Sequence, residues 1–130
     1  MPRIELRLQP DPALLRVMRV TIASAARVQR LDESLVEDIR LAATEATAEA
    51  MAAHTDAEIG DAVVVGLDVA DHEAVVSVDH VAGRGRPRTA ADEGVDRLAV
   101  AAGVADGFEV RTAGAGTTRI EMRWSTEPLS

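Results

Sequence analysis

The stretch from Asp32 to His54 constrains the fold most. Its residues Leu35, Ile39, Ala42, Ala46, Ala50 and Ala53 recur at helical spacing and form a single apolar stripe. The spacing predicts a helix that starts near Asp32 to Ser34, where Ser34 and Glu37 have the arrangement of a capping box, and runs to about His54. An amphipathic helix of this kind needs a second layer to cover its stripe, and the flanking segments read as strands. Ile4 to Gln9 alternates apolar and polar residues, as does DAVVVGLDV, which places Val63, Val65, Leu67 and Val69 on one face. EAVVSVD follows after a turn at Ala70 to His72.

Pro10, Asp11 and Pro12 end the first strand. Asp11 suits an N-cap and Pro12 the first helical position, so a helix is expected from there to about Gln29, with Leu14, Leu15, Met18, Ile22 and Ala25 inward. His80 to about Ala91 has neither period and reads as a basic, glycine-containing loop. A third helix is expected over about Asp92 to Ala105, and FEVRTA and TTRIEMRW read as a closing hairpin. The order β-α-α-β-β-α-β-β predicts an α+β two-layer sandwich: a mixed, mostly antiparallel five-stranded sheet with three helices, forming one domain over residues 1–130.

Composition narrows the function classes. Aromatic residues make up 2% of the chain (Phe108 and Trp124), so Ala, Val, Leu and Ile must build the core. The net charge of −8 and a pI near 4.8 disfavour bare nucleic acid and anionic membranes as partners. Cysteine is absent, which removes disulfides and thiolate chemistry. No apolar run is long enough to span a bilayer, and the opening residues lack the apolar centre of a signal peptide, so a cytoplasmic location is expected. Every basic residue is arginine, a pattern that codon usage or a demand for bidentate ion pairs can produce. His54, His72 and His80 are too scattered for a metal site, and His54 is read as closing the long helix, where a protonated ring suits the dipole.

Asp38, Glu45 and Glu49 fall together on the shoulder of the long helix's stripe. Like charges at this spacing repel each other, so the group is either a solvated shoulder or a carboxylate set serving a divalent cation or a general base.

The segment EDIRLAATEATAEAMAAH resembles the first nucleotide-box helix of the GHKL (Bergerat-fold) ATPases, in particular their anti-sigma-factor serine-kinase branch. Asp38, Ile39, Leu41, Ala42, Glu45, Ala46, Ala50 and His54 carry the match, and the order of elements extends it over nearly the whole chain. The resemblance implies a protein that sequesters a sigma factor, is countered by an anti-sigma-factor antagonist, uses Mg-ATP to phosphorylate that antagonist in many members, and forms a homodimer. It puts Glu45 at the general-base position, Glu49 at the Mg-binding position, and Asp79 at the position that reads the adenine amino group. Gly83 matches a glycine of the same adenine motif, Gly116 and Thr117 match a turn backing the adenine, and Arg16 matches an arginine used against both protein partners.

The departures from that pattern lie mostly at the phosphate end. Glu49 replaces an asparagine, and Val81 replaces a glycine where backbone should approach the base. Asp92, Glu93 and Asp96 stand where a glycine-rich helix entry should cradle phosphates. Arg84, Arg86 and Arg88 are either replacement phosphate contacts or a solvated loop. The expected function is an anti-sigma factor with nucleotide binding and kinase activity weakened or lost. The alternatives are an active serine kinase of the antagonist and a sensor whose pocket takes another ligand.

Overall fold

The computed structural model describes residues 3–81, 97–112 and 116–126. Strand β1 (Arg3–Leu8) ends at Pro10, and the Asp11 carboxylate accepts from Ala13 N–H at 3.0 Å to cap a short 3-10 turn, Pro12–Leu14. That turn runs into α1 (Leu15–Val28), which buries Met18, Ile22, Ala23, Ala25 and Ala26. Helix α2 (Glu33–Asp56) is capped by Asp32, whose carboxylate accepts from Ser34 N–H at 3.2 Å. The expected Ser34–Glu37 capping box is therefore corrected. Asp32 has an extended ψ of 144° that turns its own side chain onto the first turn, and Glu37 instead pairs with Arg27 and Arg40.

Strands β2 (Val63–Val69) and β3 (Glu73–Val81) form a hairpin. His80 and Val81, expected to open a loop, instead continue β3 in register with Thr118 and Thr117, and the rest of that stretch lies outside the described residues. Helix α3 is described over Arg97–Val104, and its expected start at Asp92 lies outside the described residues. Strands β4 (Gly107–Thr112) and β5 (Thr117–Ser125) close the chain.

The sheet order is β1-β2-β3-β5-β4, and every described pairing is antiparallel, in a sheet expected to be mostly so. The β4–β5 hairpin folds back so that β5 enters between β3 and β4, which leaves no parallel neighbours among the described strands. One sheet face carries Val63, Val65, Leu67, Ala74, Val76, Val78, Ile120, Met122 and Trp124, all buried under the helices. Helix α2 lies against β2 and β3 and between α1 and α3. Its alanines at 42, 43, 46 and 50 are fully buried, which lets the backbones approach closely in a core poor in aromatics. The Trp124 indole Nε1–H donates to the Val104 carbonyl at 2.8 Å, tying β5 to the end of α3. No described helix is long and apolar enough to cross a membrane.

The other sheet face is a lattice of arginine–carboxylate pairs. Arg3 reaches Asp68 and the Ser77 hydroxyl, Arg119 pairs with Asp79, and Arg111 and Arg123 converge on the buried Glu121. Gly66 sits beneath the Arg3 guanidinium, where a Cβ would collide with it.

Candidate functional site

Glu45 and Glu49 lie half-buried on the flank of α2, as the helical spacing implies, with Asp38 half-buried two turns earlier. Across the α2–α3 junction, Arg97 Nη1 stands 3.5 Å from Glu49 Oε1, and both side chains are mostly removed from solvent, at 28% and 21% exposure. A guanidinium is permanently charged, so it places a fixed cation on the carboxylate expected to bind Mg. A divalent ion would have to displace that arginine or share its carboxylate with it. Glu45, one turn earlier, has no ion-pair partner among the described residues.

The end of β3 departs most from the expected site. Strand alternation puts Ala74, Val76 and Val78 on the helix side of the sheet. His80 continues that face, and Asp79 falls on the opposite one. Asp79 accepts two hydrogen bonds from Arg119, Nε to Oδ1 at 2.7 Å and Nη2 to Oδ2 at 2.8 Å, a side-on bidentate pair. Asp79, expected to read adenine, therefore stands with Arg119 on the face away from the helices. It is separated from Glu45 and Glu49 by the sheet, and each of its oxygens accepts one bond from Arg119, whose pKa the pair raises.

His80 takes the helix-side position, next to a second histidine. His54 is fully buried near the end of α2. Its Nδ1–H donates to the Asp61 carbonyl at 2.8 Å, and its Nε2 accepts from Val81 N–H at 2.9 Å. A carbonyl can only accept and an N–H can only donate, so the ring is a neutral imidazole with the proton on Nδ1. The reading of His54 as a protonated helix terminus is corrected: α2 continues to Asp56, and the ring crosslinks α2, the loop after it and β3. The His54 and His80 rings meet edge to face with centroids 6.0 Å apart.

Burial pushes the His80 pKa below its ordinary value and the His54 ring adds to that, while the Val81 carbonyl and Asp79 oppose it. The folded chain then binds fewer protons than the unfolded one at mildly acidic pH. The stability involved is present above the unfolded value of about 6.5 and is lost as pH falls from there towards the folded pKa. Urea midpoints should therefore decline from pH 7 to pH 5, and His80→Asn should flatten that decline. An unchanged slope would remove His80 as its source.

Gly116 adopts a left-handed φ of 78° in the turn before β5, and Thr117 pairs with Val81. Thr118, opposite His80, is the threonine whose side chain alternation directs towards the helices. Gly83 and Arg84, Arg86 and Arg88 lie outside the described residues, as do Asp92, Glu93 and Asp96. Arg16 is exposed on α1, where it lines a groove with Arg19, Arg27 and, from α2, Arg40. Sequence reasoning named His80 only beside Asp79, as a contact for a ligand with hydroxyl groups, and missed its place next to His54, as it missed Arg97 and the other three groove arginines. Strict two-residue alternation along β3 was the available signal for His80.

Comparisons with known proteins agree on the architecture. Residues 8–124 match the family described as Histidine kinase-like ATPase domain. The crystal structure of the RsbU and RsbW domains of Rv1364c from Mycobacterium tuberculosis superposes with a TM-score of 0.75 at 20% identity, covering 98% of this chain. This chain spans 34% of that longer one. A chain in the crystal structure of the SiaB–SiaC complex from Pseudomonas aeruginosa superposes with a TM-score of 0.62 at 12% identity, covering 94% of this chain and 89% of that one. At these identities the likeness concerns fold. No curated protein matches the chain.

Proposed function

The chain belongs to the histidine kinase-like ATPase domain family, and we propose that it uses this fold to bind protein partners rather than to transfer phosphate. In this reading it is an anti-sigma factor: it covers the surface a sigma factor needs for core polymerase and releases it when an antagonist protein occupies an overlapping face. The sequence resemblance to the anti-sigma branch supports the partner class, and the exposed Arg16 supports α1 as a contact. A homodimer and a cytoplasmic setting belong to the same proposal.

The observation that carries the loss of kinase chemistry is the Arg97–Glu49 pair. Coordinated Mg neutralises charge between phosphate oxygens, and near-ideal oxygen ligands are its requirement. An arginine already seated on the ligand carboxylate removes that requirement's main donor. Asp79, facing the other side of the sheet, leaves the exocyclic amine of an adenine without its expected acceptor. Steric sequestration needs neither group.

Isothermal titration of the pure chain with ATP and ADP, each with and without Mg, tests this. The expected result is no resolvable heat at physiological nucleotide concentrations. A dissociation constant in the low micromolar range would overturn the proposal. The partner class is tested separately, by pull-down from native cells with mass spectrometry, where recovery of a sigma factor or an antagonist is the expected outcome.

A further inference from the structure

Strand β4 lies at the end of the sheet. Strand β5 pairs one of its sides, and among the described strands nothing pairs the other. The strand therefore presents a row of main-chain N–H and C=O groups along its outer side. Monomeric proteins blunt such edges with a lysine, a proline or a charged side chain turned inward. β4, with the sequence GFEVRT, holds neither lysine nor proline. Its register against Met122 and Ile120 puts Phe108 and Val110 on the helix side, so the charges of Glu109 and Arg111 both fall on the outer face, 3.7 Å apart. Val110 is 47% exposed although its cross-strand neighbour Ile120 is buried. The opposite edge, β1, repeats the order in Glu5, Leu6 and Arg7, but there the aliphatic residue is already packed against the core.

We propose that β4 pairs antiparallel with β4 of a second copy of this chain, joining the two sheets edge to edge across a two-fold axis at Val110. The charges choose the register. Centred on Val110, each Glu109 faces the other copy's Arg111, and the two valines cover each other. Centred on Glu109 or on Arg111, the same strands set like charges opposite each other. A slip of half that step turns the helix-side residues of one copy onto the outer face of the other. Main-chain hydrogen bonds hold such a strand addition, and the side chains fix its alignment. The contact uses the same patch on both copies, so it closes at two and leaves this edge with no further unpaired strand. This deepens the homodimer included in the proposed function and rests on it, adding the surface, the register and the residues that select it.

The test is sedimentation equilibrium of the full chain over a concentration series, with amide hydrogen exchange followed at each concentration. The wild type should pass from one copy to two, and the amides of residues 108–112 should gain protection over the same range. Val110→Lys puts a charge on the exposed inner edge and should leave a folded monomer. Glu109→Arg sets arginines opposite each other and should weaken association at least about tenfold. Mixing that variant with Arg111→Glu should restore a species holding one copy of each, because every opposed pair is then arginine against glutamate. Should Arg111→Glu fail to fold without its bond to Glu121, the other two variants still decide. Arg7→Glu, on the opposite edge, should change nothing. A monomer at every concentration, association indifferent to Val110→Lys and Glu109→Arg, protection gained at other strands, or equal loss with Arg7→Glu would each overturn the inference. A dimer that ignores the β4 variants removes the edge and leaves the homodimer standing, whereas a monomer removes both. The anti-sigma reading is judged apart from either, by the pull-down.

Discussion

Replacing His54 with alanine should lower the unfolding free energy by about 3 kcal/mol, from the cavity and the two lost hydrogen bonds together. For a chain of this length that corresponds to a drop in Tm of roughly 10 °C. The ring is fully buried and is the shared partner of Asp61 C=O and Val81 N–H. His54→Leu separates the two contributions, because leucine refills the volume and leaves Val81 N–H without an acceptor. Urea melts followed by circular dichroism should place the leucine variant well below the wild type. If leucine restores full stability, the hydrogen bonds contribute nothing and the crosslink is only a matter of packing.

Ala46→Leu should be at least as severe. Ala46 is fully buried on α2, with Ala42, Ala43 and Ala50 also fully buried. Three added carbons have nowhere to go unless α2 moves off its neighbours, and overpacking of this kind costs about 3 kcal/mol. The same melts check it. A variant within about 0.5 kcal/mol of wild type would mean a void beside α2 and would contradict the close approach inferred from the alanines.

Much of this architecture is legible in the order of hydrophobic periods. The alternation of Val63, Val65, Leu67 and Val69 fixed the inner face of β2, and the alanine stripe fixed the buried side of α2. Asp79 shows where motif matching overrode that logic. Counting by twos from Ala74 through Val76 and Val78 reaches His80, and a slip of one residue moves a side chain to the other face of the sheet. Acidity near the end of a strand was given more weight than the strand's own period. Asp32 was missed as the cap in favour of Ser34 because both are good capping residues and only the backbone of the preceding turn chooses between them. Arg97 and Arg40 were beyond reach for another reason. Their partners, Glu49 on another helix and the α1 arginines, are set by how helices pack, and one-dimensional spacing carries no record of that.

Trp124 has a practical consequence. It is the sole tryptophan, tyrosine is absent, and its buried indole is hydrogen-bonded to the last carbonyl of α3. Intrinsic fluorescence of this chain therefore reports one place, the junction of α3 with β5, with no background from other rings of comparable brightness. Emission from that indole will shift to the red when α3 lifts from the sheet and stay blue when a partner engages α1 alone. A label-free reporter of which helix a partner disturbs is built into the wild-type protein.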